Sequence, residues 1–314
     1  MRVRVVVSCS DRKSAPAGAT LQLRNHPDDL AARADAWLHR INEPEGNLTP
    51  ATDLYKGEHW HVVRQFGASG AANGVDVEVW VASAGYGLIH TEVAIESYAA
   101  TFATRGVDSI TRAGSTANPE QDATYWWTRL TSRPERHNGA TSLAALAATD
   151  PTSPLLVALS GSYVRAVHHD LLQAAQLLGD PGQLLLVTGD DRLAIRPFRL
   201  PIDARLQHVL GGARGSLNAR VVRLLLETTA SHGWDGARIR AQLSALLSEL
   251  PGIVQFNRQT MGDSDIEEFI RTEIAAGGLV AQTLLLRRLR DRNMACEQKR
   301  FGHLYRRVVE GVRG

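Results

Sequence analysis

Four short segments gather acid, amine, thiol, hydroxyl and phenol side chains within a few residues of one another. They are Ser8-Cys9-Ser10-Asp11-Arg12-Lys13, Ala51-Thr52-Asp53-Leu54-Tyr55-Lys56-Gly57, Ser83-Ala84-Gly85-Tyr86-Gly87-Leu88-Ile89 with Ile95-Glu96-Ser97-Tyr98, and Leu159-Ser160-Gly161-Ser162-Tyr163-Val164-Arg165. Hydrolysis of an N-glycosidic bond needs a carboxylate to orient water or stabilise a cationic sugar. It also needs donors for the departing base and an aromatic surface that holds the base out of its stack. Glu96, Asp11 and Asp53 are the carboxylates of these segments, and Tyr55, Tyr86, Tyr98 and Tyr163 are the stacking or hydroxyl-donor groups. Lys13 and Arg165 suit phosphate, while the Ser8/Ser10 and Ser160/Ser162 turns offer hydroxyls and backbone N–H groups. An anion-binding or ligand-sensing pocket would use the same residue types.

Each of these residues also has a purely structural use. Cys9 suits a small buried position at a strand end. Gly85 and Gly87 serve turns. Asp53 can cap a helix beginning at Leu54, Glu96 can be a solvated helix residue, and Tyr163 and Arg165 can pack. His59 and His61 flank Trp60 and face apart on a helix, as do the adjacent His168 and His169. With no Cys-x-x-Cys or His-Glu-x-x-His spacing, no metal is expected. No Walker loop occurs, and the Ser-Gly-Ser-Tyr turn lacks the glycines of a G-x-S-x-G elbow, so no cofactor is called for. Tyr125-Trp126-Trp127 is either a buried aromatic cluster or a base-stacking wedge.

The order and character of the four segments resemble the YaaA peroxide-stress family. It has a strand-end Ser/Lys segment, a D-L-Y-x-G stretch, a Y-G-L/V segment leading to a Pro/Ser-Tyr pair, and a small-residue turn followed by Tyr. The likeness covers residues 1–190, with Ser97 standing where the family has proline. The Cys-Ser-x-x-Lys start also resembles a domain of archaeosine synthases, which share ancestry with uracil-DNA-glycosylase-like folds. The resemblance implies a nucleic-acid or nucleobase context and names no reaction.

The elements that must position these residues read as α/β. Apolar runs at 3–8, 76–82, 155–159 and 184–188 predict strands ending in Ser/Gly-rich turns, and helical spacing covers 27–41, 53–66, 92–104 and 163–178. Such alternation predicts a mainly parallel sheet flanked by helices, with ligands at the carboxyl ends of its strands. The two prolines of Arg196–Pro201 suggest a linker, dividing an α/β domain (1–200) from an all-α domain (201–314).

Within the second part, Ser216, Asp235 and Asp263 or Ser264 are helix-capping signals, and Gly277-Gly278 ends the third helix before a fourth at 281–290. The last pair has helix-turn-helix spacing and resembles winged helix-turn-helix DNA-binding domains. Leu284, Leu285 and Leu289 are its expected core face. Gln282, Thr283, Arg287, Arg288 and Arg290, with Lys299 and Arg300 beyond, are the expected contacts to double-stranded DNA. The chain has 314 residues and a net charge of +2, yet residues 280–314 hold nine basic residues against three acidic. Only three of its 35 basic residues are lysines. Two distant cysteines suit a reducing, cytoplasmic compartment, and no run is long and apolar enough for a membrane helix.

These readings converge on a DNA glycosylase excising a modified or damaged base, in one setting a defence against phage with modified DNA. The alternatives are a non-catalytic DNA-binding regulator or sensor with a nucleobase-like pocket, and an RNA-modifying accessory factor.

Overall fold

Val3, Val5, Val6 and Val7 have no exposed surface, because strand β1 (Arg2–Ser8) runs through the middle of a sheet covered on both faces. The computed structural model describes residues 1–111, 118–133, 139–231, 233–252 and 258–313. Four further strands complete the sheet: β2 (Asp76–Ser83), β3 (Gly87–His90), β4 (Leu155–Ala158) and β5 (Leu184–Val187). Their order is β3-β2-β1-β4-β5, with β3 antiparallel to β2 and the other pairs parallel. The register sets Val7 beside both Val81 and Ala158, so the parallel strands end nearly flush. The chain fills one side of β1 with β2, then crosses to fill the other side with β4. Between β1 and β4 lies the switch point, the place where open α/β sheets bind their ligands. The four parallel strands match the predicted runs to within about a residue. β3 was not expected: it is a four-residue return strand made possible by Gly87 at φ +78°.

Arg4 breaks the apolar run of β1 yet is buried. Its guanidinium donates to the carbonyls of Asp150 (2.7 Å), Ser153 (2.8 Å) and Leu146. Leu146 belongs to helix α5, so the charge lies where the unpaired carbonyls at the end of a helix are concentrated.

The helices of this part are α1 (Leu30–Asn42), α2 (Glu58–Val63), α3 (Phe66–Ala71), α4 (Pro119–Thr131), α5 (Leu143–Thr149), α6 (Gly161–Leu177), α7 (Leu217–Thr228) and α8 (Gly236–Glu249). Six of them form two packed groups, α2, α3 and α7 in one and α4, α5 and α6 in the other, while α1 rests on α4 and α8 on the Pro181–Gln183 turn. Two predicted helices need correction. The 53–66 stretch is broken by Gly57 at φ +98°, which ends one turn (Ala51–Leu54) before α2 begins. The 92–104 stretch is extended: Ala94–Ile95 pairs with Thr49–Pro50, and Ala99 exchanges backbone hydrogen bonds with Leu21 (2.8 Å) and Leu23 (2.9 Å). Glu96 therefore stands on extended backbone, whose polar groups are satisfied by a distant loop that local periodicity cannot reveal.

The chain divides into two compact units, Met1–Pro251 and Gly252–Gly314, rather than at the predicted 200/201 boundary. Arg196–Pro201 is not a linker, since Phe198 and Leu200 make 2.8 Å backbone hydrogen bonds with Leu186 of β5. Beyond it, α7 buries Val221, Val222, Leu225 and Leu226 against α2, α3 and the sheet, keeping these helices in the first unit.

The second unit holds α9 (Asp263–Gly277), α10 (Gln282–Asp291) and α11 (Gln298–Arg313). Between α9 and α10 the chain bends by 111° at a turn containing Gly278, whose φ of +75° ends α9. Ile266, Ile270, Leu285, Leu289, Phe301 and Leu304 form the unit's core. The inward leucines of α10 are Leu285, Leu286 and Leu289, while Leu284, expected in the core, is 44 % exposed. Among the described residues no single helix is long and apolar enough to cross a membrane.

Candidate functional site

At the carboxyl end of β1 the chain turns through Cys9–Ser14 and zips against Leu54–Lys56. Ser14 N–H donates to Leu54 O (2.8 Å) and Lys56 N–H to Arg12 O (2.9 Å). Ser10 folds this loop internally, its hydroxyl donating to Lys56 O (2.8 Å) and accepting from Arg12 N–H (3.1 Å). The ladder turns Lys13 inward. Its Nζ donates to Ser10 O (3.0 Å) and lies 4.1 Å from the Tyr98 ring centroid and 5.8 Å from that of Tyr55. Burial lowers the Lys13 pKa against the weaker opposing pull of Cys9, Asp11 and Asp108.

Tyr98 is the hub of the floor. Its hydroxyl lies 2.7 Å from Ser83 Oγ and 3.0 Å from the Tyr55 hydroxyl, with both tyrosines buried. Ser83, the last residue of β2, also accepts from Tyr86 N–H (3.0 Å) and so shapes the loop that follows. A Cβ on Gly85 would lie 2.5 Å from Tyr98 Cδ2, so the ring can sit there only against glycine. Two indoles hold this loop: Trp37 Nε1 donates to Gly85 O and Trp126 Nε1 to Ala84 O, each at 2.8 Å. Trp127 donates to Asp170 (2.9 Å). Trp126 and Trp127 are thus buried scaffolding and not a base wedge.

Across the switch point, Cys9 Sγ lies 2.9 Å from the Tyr163 hydroxyl, in the first turn of α6. Phe102 packs edge-on to Tyr163 with centroids 5.1 Å apart. The phenols of Tyr55, Tyr98 and Tyr163 are pushed well up by burial, and next by the neighbouring Cys9 sulfur. Ser160 and Ser162 stand at the strand end with hydroxyls 3.1 Å apart, Ser160 exposed at the N-cap of α6 but making no side-chain capping bond. Arg165 Nη1 and Asp190 Oδ2 approach Gly161, lying 3.7 and 3.4 Å from where its Cβ would be. Asp190, beyond β5, also accepts from Arg192 Nε (2.9 Å). Ser8 is half-buried, and its backbone hydrogen-bonds the His59 ring.

The three carboxylates separate. Glu96 is a clamp: Arg40 Nη1 and Nη2 bind its two oxygens at 2.8 and 3.0 Å, and Gly46 N–H donates at 2.5 Å. Burial alone would raise its pKa, but these donors carry it below the usual glutamate range. Asp53 is exposed within its single turn and caps nothing, since Pro50 holds the N-cap. Asp11 is exposed at the rim, near enough for its charge to act on both Lys13 and Tyr163. Tyr86 is buried, stacks edge-on to Tyr98 at 5.3 Å and donates to Glu96 O, so it supports the floor from outside.

The structure therefore brings together Cys9, Lys13, Tyr55, Ser83, Tyr98 and Tyr163, with Asp11, Ser160, Ser162 and Arg165 around them. Ser83 and Asp190 were missed as side chains, although both stand at predicted strand ends. An apolar cavity of about 130 Å³ lies elsewhere, beside β3, and is lined by Trp80, Tyr86, Leu88, His90 and Leu130. Among the described residues no three His, Cys, Asp or Glu side chains are grouped to hold a metal ion.

In the second unit many of the expected DNA contacts are engaged internally. Arg288 binds Glu273 (2.7 Å), Arg290 donates to Cys296 O (3.2 Å), and Arg300 binds Asp263. Gln282 packs against Gly302, whose Cβ would meet its Nε2 at 2.6 Å. Thr283, Arg287 and Lys299 are exposed, and the latter two make no ion pair among the described residues. His303 and Arg306, one and two turns beyond Lys299, extend an exposed basic stripe along α11.

Compared with protein-family models, with curated proteins and with solved structures, the chain matches none.

Proposed function

We propose that the chain acts on DNA as an N-glycosylase that removes a modified or damaged base, with its reaction centre at the β1/β4 switch point. The observation that carries this reading is the meeting there of an amine, a thiol–phenol pair and a tyrosine floor, where open α/β sheets bind ligands. Tyr163 and Phe102 offer an aromatic wall, Ser160 and Ser162 offer donors at the strand end, and Arg165 meets a flanking phosphate. The role of orienting water or facing a cationic sugar is assigned to the exposed Asp11, since the oxygens of Glu96 are occupied by Arg40 and Gly46. The resemblance of the four segments to the YaaA and glycosylase-like group points the same way.

Duplex affinity is assigned to the second unit. The 111° bend between α9 and α10 falls in the range of helix-turn-helix pairs, and Arg287, Lys299 and Arg306 are its free cations among the described residues. Defence against phage whose DNA carries bulky bases is one setting for such an activity.

The test is base release. The protein is incubated with unmodified, deaminated, alkylated and modified-cytosine DNA, and freed base is detected by mass spectrometry. Release from one substrate, lost in Asp11→Asn with DNA binding retained, supports the reading. No release from any of them, with tight salt-sensitive binding, favours the sensor alternative. The full burial of Tyr55 and Tyr98, with their hydroxyls already paired, is the observation on that side.

A further inference from the structure

Lysine is rare in this chain, and position 13 is where its difference from arginine matters. The sequence has 35 basic residues and only three lysines, Lys13, Lys56 and Lys299. Among the described residues the ion pairs are made by arginine or histidine. Lys56 and Lys299 are exposed on the surface. Lys13 alone is part-buried, with its Nζ over the Tyr98 ring and a single carbonyl acceptor, Ser10 O at 3.0 Å. Arginine in that place would hold a charge equally well or better. What only lysine supplies is an amine that can lose its proton and attack carbon.

From this placement we infer that Lys13 is an amine nucleophile for the sugar aldehyde of an abasic site, giving the protein a strand-cleaving lyase activity. The inference deepens the glycosylase reading, since excision of a base leaves that aldehyde in place. The neutral Nζ adds to C1′, and the aldehyde oxygen takes up protons and leaves as water, forming an iminium between Lys13 and the opened sugar. A C2′ proton then passes to water. Its bond pair becomes the C2′=C3′ double bond as the C3′–O bond breaks, and the 3′ phosphate leaves with the C3′–O pair. Water adds back at C1′, releasing Lys13 and an unsaturated aldehyde on the strand end. No oxidant, reductant or metal is needed. Burial against two tyrosine rings supports the chemistry, because it favours the uncharged amine. The Tyr163 hydroxyl and Cys9 thiol, 2.9 Å apart at the same strand ends, are the groups to bind the aldehyde oxygen as it takes up protons.

The test needs no knowledge of the target base. The full-length protein is mixed with duplex DNA carrying one preformed abasic site and treated with cyanoborohydride, which reduces an iminium to a stable link. Proteolysis and mass spectrometry then locate the attached residue. The expected result is an adduct on Lys13, lost in both Lys13→Arg and Lys13→Met, with strand cleavage in the unreduced reaction lost in parallel. Lys13→Arg keeps the charge and most of the packing, and a thermal melt of each variant confirms that it folds. An adduct on Met1, Lys56 or Lys299, or no adduct at all, overturns the inference. Base release with no Lys13 adduct would leave the glycosylase standing with water as its nucleophile. A Lys13 adduct with no base released from any DNA would leave the lyase and remove the glycosylase.

Discussion

The Cys9 thiol and the Tyr163 hydroxyl stand 2.9 Å apart and bridge the ends of β1 and β4, the two strands between which the chain changes its direction of travel. Neither residue is near the other in sequence. Their contact is a consequence of strand order, and it marks the strand ends at which the other reactive groups gather.

If that contact serves a ligand and not the fold, Tyr163→Phe should change stability little. Loss of one such hydrogen bond is worth about 1 kcal/mol, while base release should fall by at least about tenfold. A denaturant melt and single-turnover release on the same preparation separate the two. A large stability loss with unchanged release would make Tyr163 a packing residue.

Glu96→Gln should do the reverse. Removing the buried partner of the Arg40–Glu96 pair leaves the guanidinium with only the more exposed Glu45, 3.4 Å away, as its counter-charge and costs about 3 kcal/mol, yet release per folded molecule should persist. Because the folded pKa of Glu96 is lowered, its contribution is complete above the unfolded value of about 4.3 and is lost as pH falls through the folded one. Wild type should therefore lose stability on acidification more steeply than the variant. A variant that stays fully stable but is inactive would return Glu96 to the catalytic role.

His59 adds an earlier acid limit. Burial lowers its pKa from 6.5 to about 4, so the unfolded chain binds its proton first. Stability is then complete above about pH 6.5 and declines as pH falls towards 4. Melting temperatures from pH 8 to pH 4 should show this slope, and His59→Gln should flatten it. A ring that titrates near 6.5 by NMR in the folded protein would contradict the burial argument.

Gly85→Ala should disrupt the site, because the new methyl would meet the Tyr98 ring at 2.5 Å while backbone and ring are both pinned. Gly67→Ala is the control. It lies in α3 with open space around it, and alanine there should stabilise by about 0.5–1 kcal/mol. Thermal melts of the pair test the close approach directly.

In the second unit, Arg287→Gln, Lys299→Gln and Arg306→Gln should each weaken duplex binding and lower the salt slope by about 1. Arg288→Gln and Arg300→Gln should act mainly on stability, since these side chains hold Glu273 and Asp263. Binding isotherms at several salt concentrations, beside melts, distinguish the groups. An unchanged slope in the first three would remove DNA from this surface.

Much of the framework is legible in order along the chain. Unbroken apolar runs such as Val3–Val7 and Leu184–Val187 can be satisfied only by burial on both faces, so the parallel strands and their turns read directly. Asp235 caps α8 as its sequence suggests and Gly278 ends α9, but the expected cap of α9 at Asp263 or Ser264 is instead Gly262, so those two residues lie in its first turn. The same local reading fails for residues 92–104 and for Arg196–Pro201. There the backbone is satisfied by Leu21, Leu23 and Leu186, partners far away in sequence.

The sequence alone determined which segments carry reactive side chains, that they lie at strand ends, and that arginine dominates the charge. Those are properties of local pattern and composition. Tertiary structure decided which of them meet: it joined Lys13 to Tyr98 and Cys9 to Tyr163, and it tied Glu96 to Arg40. It also moved α7 and α8 into the first unit. A carboxylate's chemistry depends on which partner occupies its oxygens, and that partner is chosen by strand order and packing, which no window along the chain contains.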